Sequence, residues 1–169
     1  MEDFSREEVS IRLIRKDDNV ALANIVRESM KEFKADPATT IIGDPSLNTM
    51  FENYRESRSR YFVVEMNGQL AGGCGIARLP GGEETICELQ RMFLAKGARG
   101  KGIGKALLGK CIDDAAKMGY ELIYLETLED MLTAIGLYES AGFRRIDQAL
   151  GNTGHTGCPV RMTKKLKNN

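Results

Sequence analysis

The feature of this sequence that most constrains its fold is a glycine-rich turn between a strand pattern and an amphipathic helix pattern. Residues 99–104 read Arg-Gly-Lys-Gly-Ile-Gly and follow the strand-like run 88–94, Glu-Leu-Gln-Arg-Met-Phe-Leu. Behind the turn, apolar residues recur at helical spacing and predict one buried face: Ile103, Leu107, Leu108, Cys111, Ile112 and Ala115. The pattern therefore predicts a strand that turns through glycines directly into a helix.

Such a turn favours a phosphate-bearing ligand. Its glycines let the backbone come close to a ligand, and the first free N–H groups of the helix attract anions. Arg99, Lys101 and Lys105 add positive charge beside those amides. We expect main-chain and side-chain donors to hold a phosphate together.

Two common phosphate-binding fingerprints do not fit the turn. A Walker loop that begins at Gly97 needs Lys-Ser/Thr after Gly102, but Ile-Gly follows there. A Gly-x-Gly-x-x-Gly fingerprint needs its third glycine at position 105 or 107, which hold lysine and leucine. What remains is Arg-x-x-Gly-x-Gly over residues 99–104, which resembles the acyl-coenzyme A loop of the GCN5-related N-acetyltransferase superfamily.

A second motif strengthens this resemblance. Residues 134–143, Ala-Ile-Gly-Leu-Tyr-Glu-Ser-Ala-Gly-Phe, are similar to the Ala-x-x-Leu-Tyr-x-x-x-Gly-Phe signature of the same superfamily. The two motifs stand in the expected order, separated by one predicted helix and one predicted strand, and the resemblance extends from about Val9 to Leu166. On these motifs the chain is identified as a member of the superfamily.

The fold that follows is α+β, a single-domain α/β/α sandwich around a mixed, mostly antiparallel twisted sheet. The length of 169 residues, 42% of them hydrophobic, suits one domain, and we expect residues 1–169 to form one N-acetyltransferase domain. Strand patterns cover residues 9–13, 61–66, 70–79, 85–94 and 122–128, with two more near 143 and 160. Helix patterns begin near 19, 47, 103 and 131.

Local signals predict caps and turns. Asp17 or Asp18 can cap the first helix, and Ser46 can cap the second. Asn67-Gly68 predicts a two-residue hairpin turn. The strand 70–79 contains three glycines, which predict either a groove or close backbone contact, or a simple bulge.

Composition excludes several classes of function. The chain has 24 basic and 24 acidic residues, so no global field favours nucleic acid or an anionic membrane. The N-terminal Met-Glu-Asp-Phe-Ser is acidic, unlike a signal peptide, and no run reaches the roughly 20 apolar residues of a membrane span. We expect a cytoplasmic protein, and the sequence leaves a homodimer open. Four separated cysteines and one histidine make a zinc site or disulfide framework a poor prediction: Cys74, Cys87, Cys111, Cys158 and His155.

The resemblance implies transfer of an acetyl group from acetyl-coenzyme A to a primary amine, by direct attack in a ternary complex. Related enzymes hold the pantetheine arm on the main chain at the end of the strand 88–94, and an N–H near Leu94 could donate to the thioester oxygen. The residues expected to bind the coenzyme are Met92, Phe93, Leu94, Arg99, Gly100, Lys101, Gly102, Ile103, Gly104 and Lys105.

The resemblance also suggests the groups that move protons. Tyr138 stands where many relatives place the general acid for the departing thiolate, although it could simply be packed with Leu137 and Phe143. Glu88 is the first choice for the base, and Glu126 is the second. The alternative for either glutamate is a strand-end carboxylate paired with Arg91 or a lysine.

Departures from the family pattern leave the acceptor open. Met131 stands where relatives commonly have asparagine. The loop 151–158 suits either a substrate-shaping loop, in which His155 touches the substrate, or a flexible connector. Helices near 28–33 and 47–54 should wall the acceptor pocket. We favour a small-molecule amine as acceptor; a protein or peptide N-acetyltransferase, a non-catalytic acyl-coenzyme A-binding module and a mononucleotide binder are the alternatives.

Overall fold

The computed structural model describes residues 7–167, so the acidic N-terminal segment considered above lies outside the described residues. One sheet contains seven strands. The strands are β1 (Val9–Leu13), β2 (Arg60–Met66), β3 (Gln69–Arg78), β4 (Ile86–Leu94), β5 (Leu122–Thr127), β6 (Arg144–Ile146) and β7 (Val160–Lys165). The α-helices of this part of the chain are α1 (Asn19–Glu32), α2 (Met50–Asn53), α3 (Ile103–Lys117) and α4 (Leu132–Ser140).

The strand order, β1-β2-β3-β4-β5-β7-β6, places one parallel pair inside an otherwise antiparallel sheet. This pair, β4 and β5, is joined only where residues 86–88 lie beside 122–124. Beyond it, β4 stays paired with β3 and β5 stays paired with β7. A gap therefore opens inside the sheet, and the predicted mixed, mostly antiparallel α+β fold is confirmed.

Helices cover both faces of the sheet. Along β2, side chains alternate between two buried clusters, with Phe62 and Val64 in one and Tyr61 and Val63 in the other. The first cluster contains residues of α3 and α4, and the second contains residues of α1 and α2. The predicted α/β/α sandwich is confirmed.

The predicted helix caps are wrong in detail. Asp18 stands at the N-cap of α1, but its carboxylate accepts from Arg12 and from the Arg15 N–H instead of the helix amides. Asp44 takes the place predicted for Ser46, because its side chain accepts from the Ser46 N–H at 2.9 Å. The second predicted helix is a 3₁₀ turn at 45–49 followed by the single turn of α2.

The glycine-rich strand forms the predicted bulge, and tyrosine rings occupy the space where a groove was the other interpretation. Gly73 and Gly75 leave no room for side chains, because a Cβ on either would lie 2.4 to 2.8 Å from tyrosine ring atoms of the α1/α2 face. The register between β3 and β4 also shifts at these glycines, and Arg91 on β4 adopts φ 53°. The sheet thus bends at a bulge where tyrosine rings fill the space that the glycines leave. The Asn67-Gly68 hairpin is confirmed by φ values of 52° and 75°.

The first strand differs from its apolar pattern. Val9 and Leu13 are 42% and 50% exposed, and only Ile11 among its apolar residues packs against the core. The strand predicted at 9–13 is confirmed, but because β1 lies at the sheet edge it is only partly buried.

Candidate active site

Two cavities meet at the gap between β4 and β5. The glycine-loop cleft, about 330 Å³, runs from the turn at 99–104 to the end of β4. The carboxylate cavity, about 220 Å³, lies deeper, where the strands part. Met92, Phe93 and Met131 line both, so a ligand can extend from one into the other.

The glycine turn exposes a set of main-chain donors. Gly100 and Gly102 have φ values of 73° and 78°, a conformation that other residues rarely adopt. The helix begins with a hydrogen bond from Ala106 N to Gly102 O at 3.2 Å. The amides of residues 103–105 precede that bond and therefore have no partner within the helix. They form a ready-made anion cradle at the mouth of the cleft.

Two of the three basic side chains expected at this cradle, Arg99 and Lys101, pair with glutamates in the structure. The Arg99 guanidinium lies 2.8 Å from Glu32 on α1 and donates to Leu94 O at 2.9 Å. Lys101 forms an ion pair with Glu7 at 2.5 Å, while Lys105 lines the cleft. Glu7 and Glu32 lie far from the turn in sequence, so motif spacing could not predict these two ion pairs.

The end of β4 turns one main-chain edge toward the gap. Ala95 N donates to Ala71 O at 2.8 Å, on the β3 side. Because N–H directions alternate along a strand, the Leu94 N–H points the other way, into the gap. Gly104 of α3 faces the same space, since a Cβ there would lie 3.2 Å from Leu137 and 3.5 Å from Met92. At this end the cleft is therefore lined mainly by apolar side chains and is open to the Leu94 N–H.

Glu88 lies at the point where β4 and β5 separate. It is only 6% exposed, and burial raises its pKa to about 7, although a hydrogen bond from Gln90 Nε2 at 2.7 Å opposes the change. Repulsion by Glu126 on β5 adds to the rise. A carboxylate with a pKa near neutrality can accept a proton at physiological pH and release it again.

Tyr138 reaches the same cavity from the opposite face of the sheet. Tyr138 belongs to the buried cluster that contains α3 and α4, and so do Cys87 and Leu89 of β4. Because side chains alternate along a strand, Glu88 points to the other face of the sheet, which α1 and α2 cover. Burial raises the Tyr138 pKa well above its ordinary value. Its ring also packs on Phe143 with 5.8 Å between centroids, so both interpretations of this residue agree with its position.

The remaining wall of the carboxylate cavity carries a charged cluster that sequence reasoning missed. Arg91 donates to Ser46 Oγ and lies 3.7 Å from Asp44, whose carboxylate is 3.5 Å from His155 Nε2. Arg91 therefore pairs with Asp44, and the suggested pairing with Glu88 is wrong. These residues are distant in sequence, and the positive φ of Arg91 turns its side chain away from the regular strand direction.

The loop 151–158 covers the carboxylate cavity. Thr153 donates to Glu126, and Gly157 N donates to Thr39 O at 3.0 Å across the opening. The cavity is lined by Thr153, His155 and Cys158 of this loop. This position agrees with the interpretation of the segment as a substrate-shaping loop. Of the two expected helix walls, α1 contributes Met30, whereas the segment 47–54 contributes no lining residue.

Comparison with known proteins identifies the family. Residues 22–143 match the profile of the Acetyltransferase (GNAT) family. Over 168 residues the chain is 40% identical to YjgM of Escherichia coli K12, an uncharacterized N-acetyltransferase, covering 98% of this chain and 100% of YjgM.

Solved structures share the fold. A GNAT-family acetyltransferase from Staphylococcus aureus superposes with a TM-score of 0.80 at 24% identity, covering 95% of this chain and all of the other. A phosphinothricin acetyltransferase from Sinorhizobium meliloti, solved with acetyl-coenzyme A, gives a TM-score of 0.74 at 24% identity, covering 95% of this chain and 90% of the other. Within residues 7–167, no helix is both long and apolar enough to cross a bilayer.

Proposed function

Because the chain belongs to the GNAT acetyltransferase family and is an acetyl-coenzyme A-dependent acyltransferase, we propose that it acetylates a small-molecule primary amine by direct attack in a ternary complex. One observation carries the proposal. A buried glutamate with a pKa near 7 and a protonated tyrosine line one cavity from opposite faces of a split sheet. In the space between these two side chains, the amine nitrogen bonds to the acetyl carbon as the C–S bond of the thioester breaks.

The glycine-loop cleft fits the coenzyme. The amides of residues 103–105 face the pyrophosphate, and the side chains of Arg99, Lys101 and Lys105 add charge around it. Residues 92–94 hold the pantetheine arm along the free edge of β4, where no strand pairs with them on the gap side. Bound there, acetyl-coenzyme A supplies an activated acetyl group.

Three groups of this chain act on the reacting atoms. Glu88 accepts the proton that the amine loses, directly or through a water molecule. The Leu94 N–H donates to the thioester oxygen as negative charge grows on it. Tyr138 gives its proton to the sulfur of the departing thiolate. Glu126 favours the arrival of a protonated amine by adding negative charge beside Glu88.

The shape of the carboxylate cavity supports a small acceptor. The loop 151–158 closes over a volume of about 220 Å³, which is the size of a small amine.

A thiol-release assay with acetyl-coenzyme A tests this function. The acceptors are amino acids, polyamines, aminoglycosides and short peptides, and isothermal titration with desulfo-coenzyme A and ATP measures binding separately. We expect desulfo-coenzyme A to bind more tightly than ATP, and one class of small amine to release thiol. Release with peptides alone would contradict a small acceptor, and coenzyme binding without release from any amine would indicate a binding module.

A further inference from the structure

A chain of hydrogen bonds runs from the protein core to Glu88. Tyr54 Oη lies 2.6 Å from Gln90 Oε1, and Gln90 Nε2 lies 2.7 Å from Glu88 Oε2. Tyr54 is buried beneath the cavity, whereas Glu88 lines it. Tyr54 and Gln90 have no part in the reaction as described so far.

The chain has one consistent direction when Glu88 is ionised. A carboxylate can only accept hydrogen bonds, so the amide nitrogen of Gln90 must face it. The amide oxygen then faces Tyr54, whose hydroxyl must donate. Tyr54 therefore prevents the Gln90 amide from turning its oxygen toward the carboxylate, which would repel it.

The glycine-rich strand holds Tyr54 in place. Its ring packs on Tyr61 with 5.0 Å between centroids, and a Cβ on Gly75 would lie 2.8 Å from the ring atom Cε1. Only glycine at position 75 leaves room for the ring. The start of the hydrogen-bond chain is thus fixed by the central sheet and not by a mobile loop.

We propose that Gln90 and Tyr54 are positioning residues for Glu88: Gln90 holds one carboxylate oxygen and Tyr54 holds Gln90, so that the other oxygen faces the amine. This inference rests on the proposed function, because it takes Glu88 as the proton acceptor. Held in this way, the carboxylate does not need to rotate when the amine or a bridging water arrives.

The same hydrogen bond gives a measurable signature. The Gln90 donor stabilises the ionised form of Glu88 and lowers its pKa, as does the charge of Arg91, while burial and Glu126 raise it. Burial raises the pKa of the neighbouring phenols and thiols, so they stay neutral near pH 7: Tyr54, Cys87, Tyr124 and Cys158. Removing the donor should therefore raise the pKa of Glu88.

Carbon-13 NMR of glutamate-labelled protein tests this without any acceptor, since Glu88→Gln assigns the Glu88 carboxyl signal. We expect Gln90→Leu to raise its titration midpoint by about one pH unit, and Tyr54→Phe by about half of that. The matched control is Tyr120→Phe, which removes another buried hydroxyl, one that donates to Arg58 O at 2.7 Å outside the two cavities. Unchanged midpoints in both test variants, or an equal change in the control, would overturn the proposal.

The pH dependence of kcat/KM, measured with the amine that the thiol-release assay identifies, separates the two levels of inference. We expect the acid limb to move upward in Gln90→Leu and Tyr54→Phe, and Tyr54→Phe to have no further effect when Glu88 is already glutamine. If the acid limb disappears in Glu88→Gln but keeps its midpoint in Gln90→Leu and Tyr54→Phe, only the positioning role is overturned. A limb that survives Glu88→Gln would overturn the proposed base, and with it the positioning role.

Discussion

At the scale of single residues, burial raises the pKa of both Glu88 and Tyr138, with different consequences at neutral pH. Loss of water penalises the charged form of both groups, so both pKa values rise. For the carboxyl the new value is near 7, where the group exchanges protons readily. The phenol is protonated at neutral pH with or without this rise, and in the proposed reaction it gives that proton to the thiolate.

Replacing Tyr138 by phenylalanine tests the acid directly. We expect kcat to fall by about 10² or more, because the departing thiolate loses its proton donor, while the Kd for coenzyme A changes less than about twofold. Steady-state thiol release and isothermal titration measure the two quantities. The control is Tyr120→Phe, which removes another buried hydroxyl. If kcat is unchanged in Tyr138→Phe, Tyr138 has a packing role only.

The family resemblance singled out Glu88 and Tyr138 as candidates from the sequence. It could not predict Tyr54 and Gln90 as partners, because they are 36 residues apart and meet only through sheet packing. The same holds for Arg91, whose direction depends on a bulge that no local pattern specifies.

At the scale of elements, helix α1 reaches the glycine turn through one ion pair. Glu32 near its end holds the Arg99 guanidinium, and Ser29 Oγ lies 3.3 Å from the same group. In the proposed mode of binding, the pyrophosphate of the coenzyme would also contact this guanidinium. The carboxylate of Glu32 would then compete with the coenzyme for Arg99.

Neutralising Glu32 should strengthen coenzyme binding. We expect Glu32→Gln to lower the Kd for coenzyme A by up to about fivefold at low salt, with a smaller effect at high salt. The control is Glu28→Gln, which alters a carboxylate that pairs with Lys31 on the same helix. Isothermal titration at two salt concentrations gives the answer, and weaker binding would show that Glu32 orients Arg99 for the ligand.

Most elements could be predicted from periodicity, since apolar positions in α3 and alternation in β2 agree with the buried clusters. Caps and short helices could not. Asp44 and not Ser46 is the cap, because Pro45 follows Asp44 and starts the turn. The position of the cap thus depends on a single hydrogen bond.

At the scale of the whole molecule, the site lowers the stability of the fold. Glu88 binds its proton more tightly in the folded chain, with a pKa of about 7 against an ordinary value of 4.5. Its contribution to folding is therefore complete below about pH 4.5 and is lost as the pH rises through 7. The α+β class and the mixed, mostly antiparallel sheet could be predicted from the family resemblance, but this cost depends on the depth of the gap, which no sequence pattern gives.

Glu88→Gln should accordingly stabilise the protein more at alkaline than at acidic pH. We expect the gain in the free energy of unfolding to grow from about 1 kcal/mol at pH 5 to about 3 kcal/mol at pH 8. Urea denaturation at both pH values measures it. The exposed Glu129→Gln is the control, and an equal gain at both pH values would contradict the high pKa of Glu88.

The main-chain donors at the glycine turn and at Leu94 have a consequence for redesign of the site. In the proposed mode of binding, amides hold the coenzyme, so its recognition depends on the path of the backbone and only weakly on side-chain identity. The roof of the carboxylate cavity, in contrast, is built from side chains of the loop 151–158. Substitutions in this loop should therefore change the acceptor and leave the main-chain donors of the coenzyme site in place.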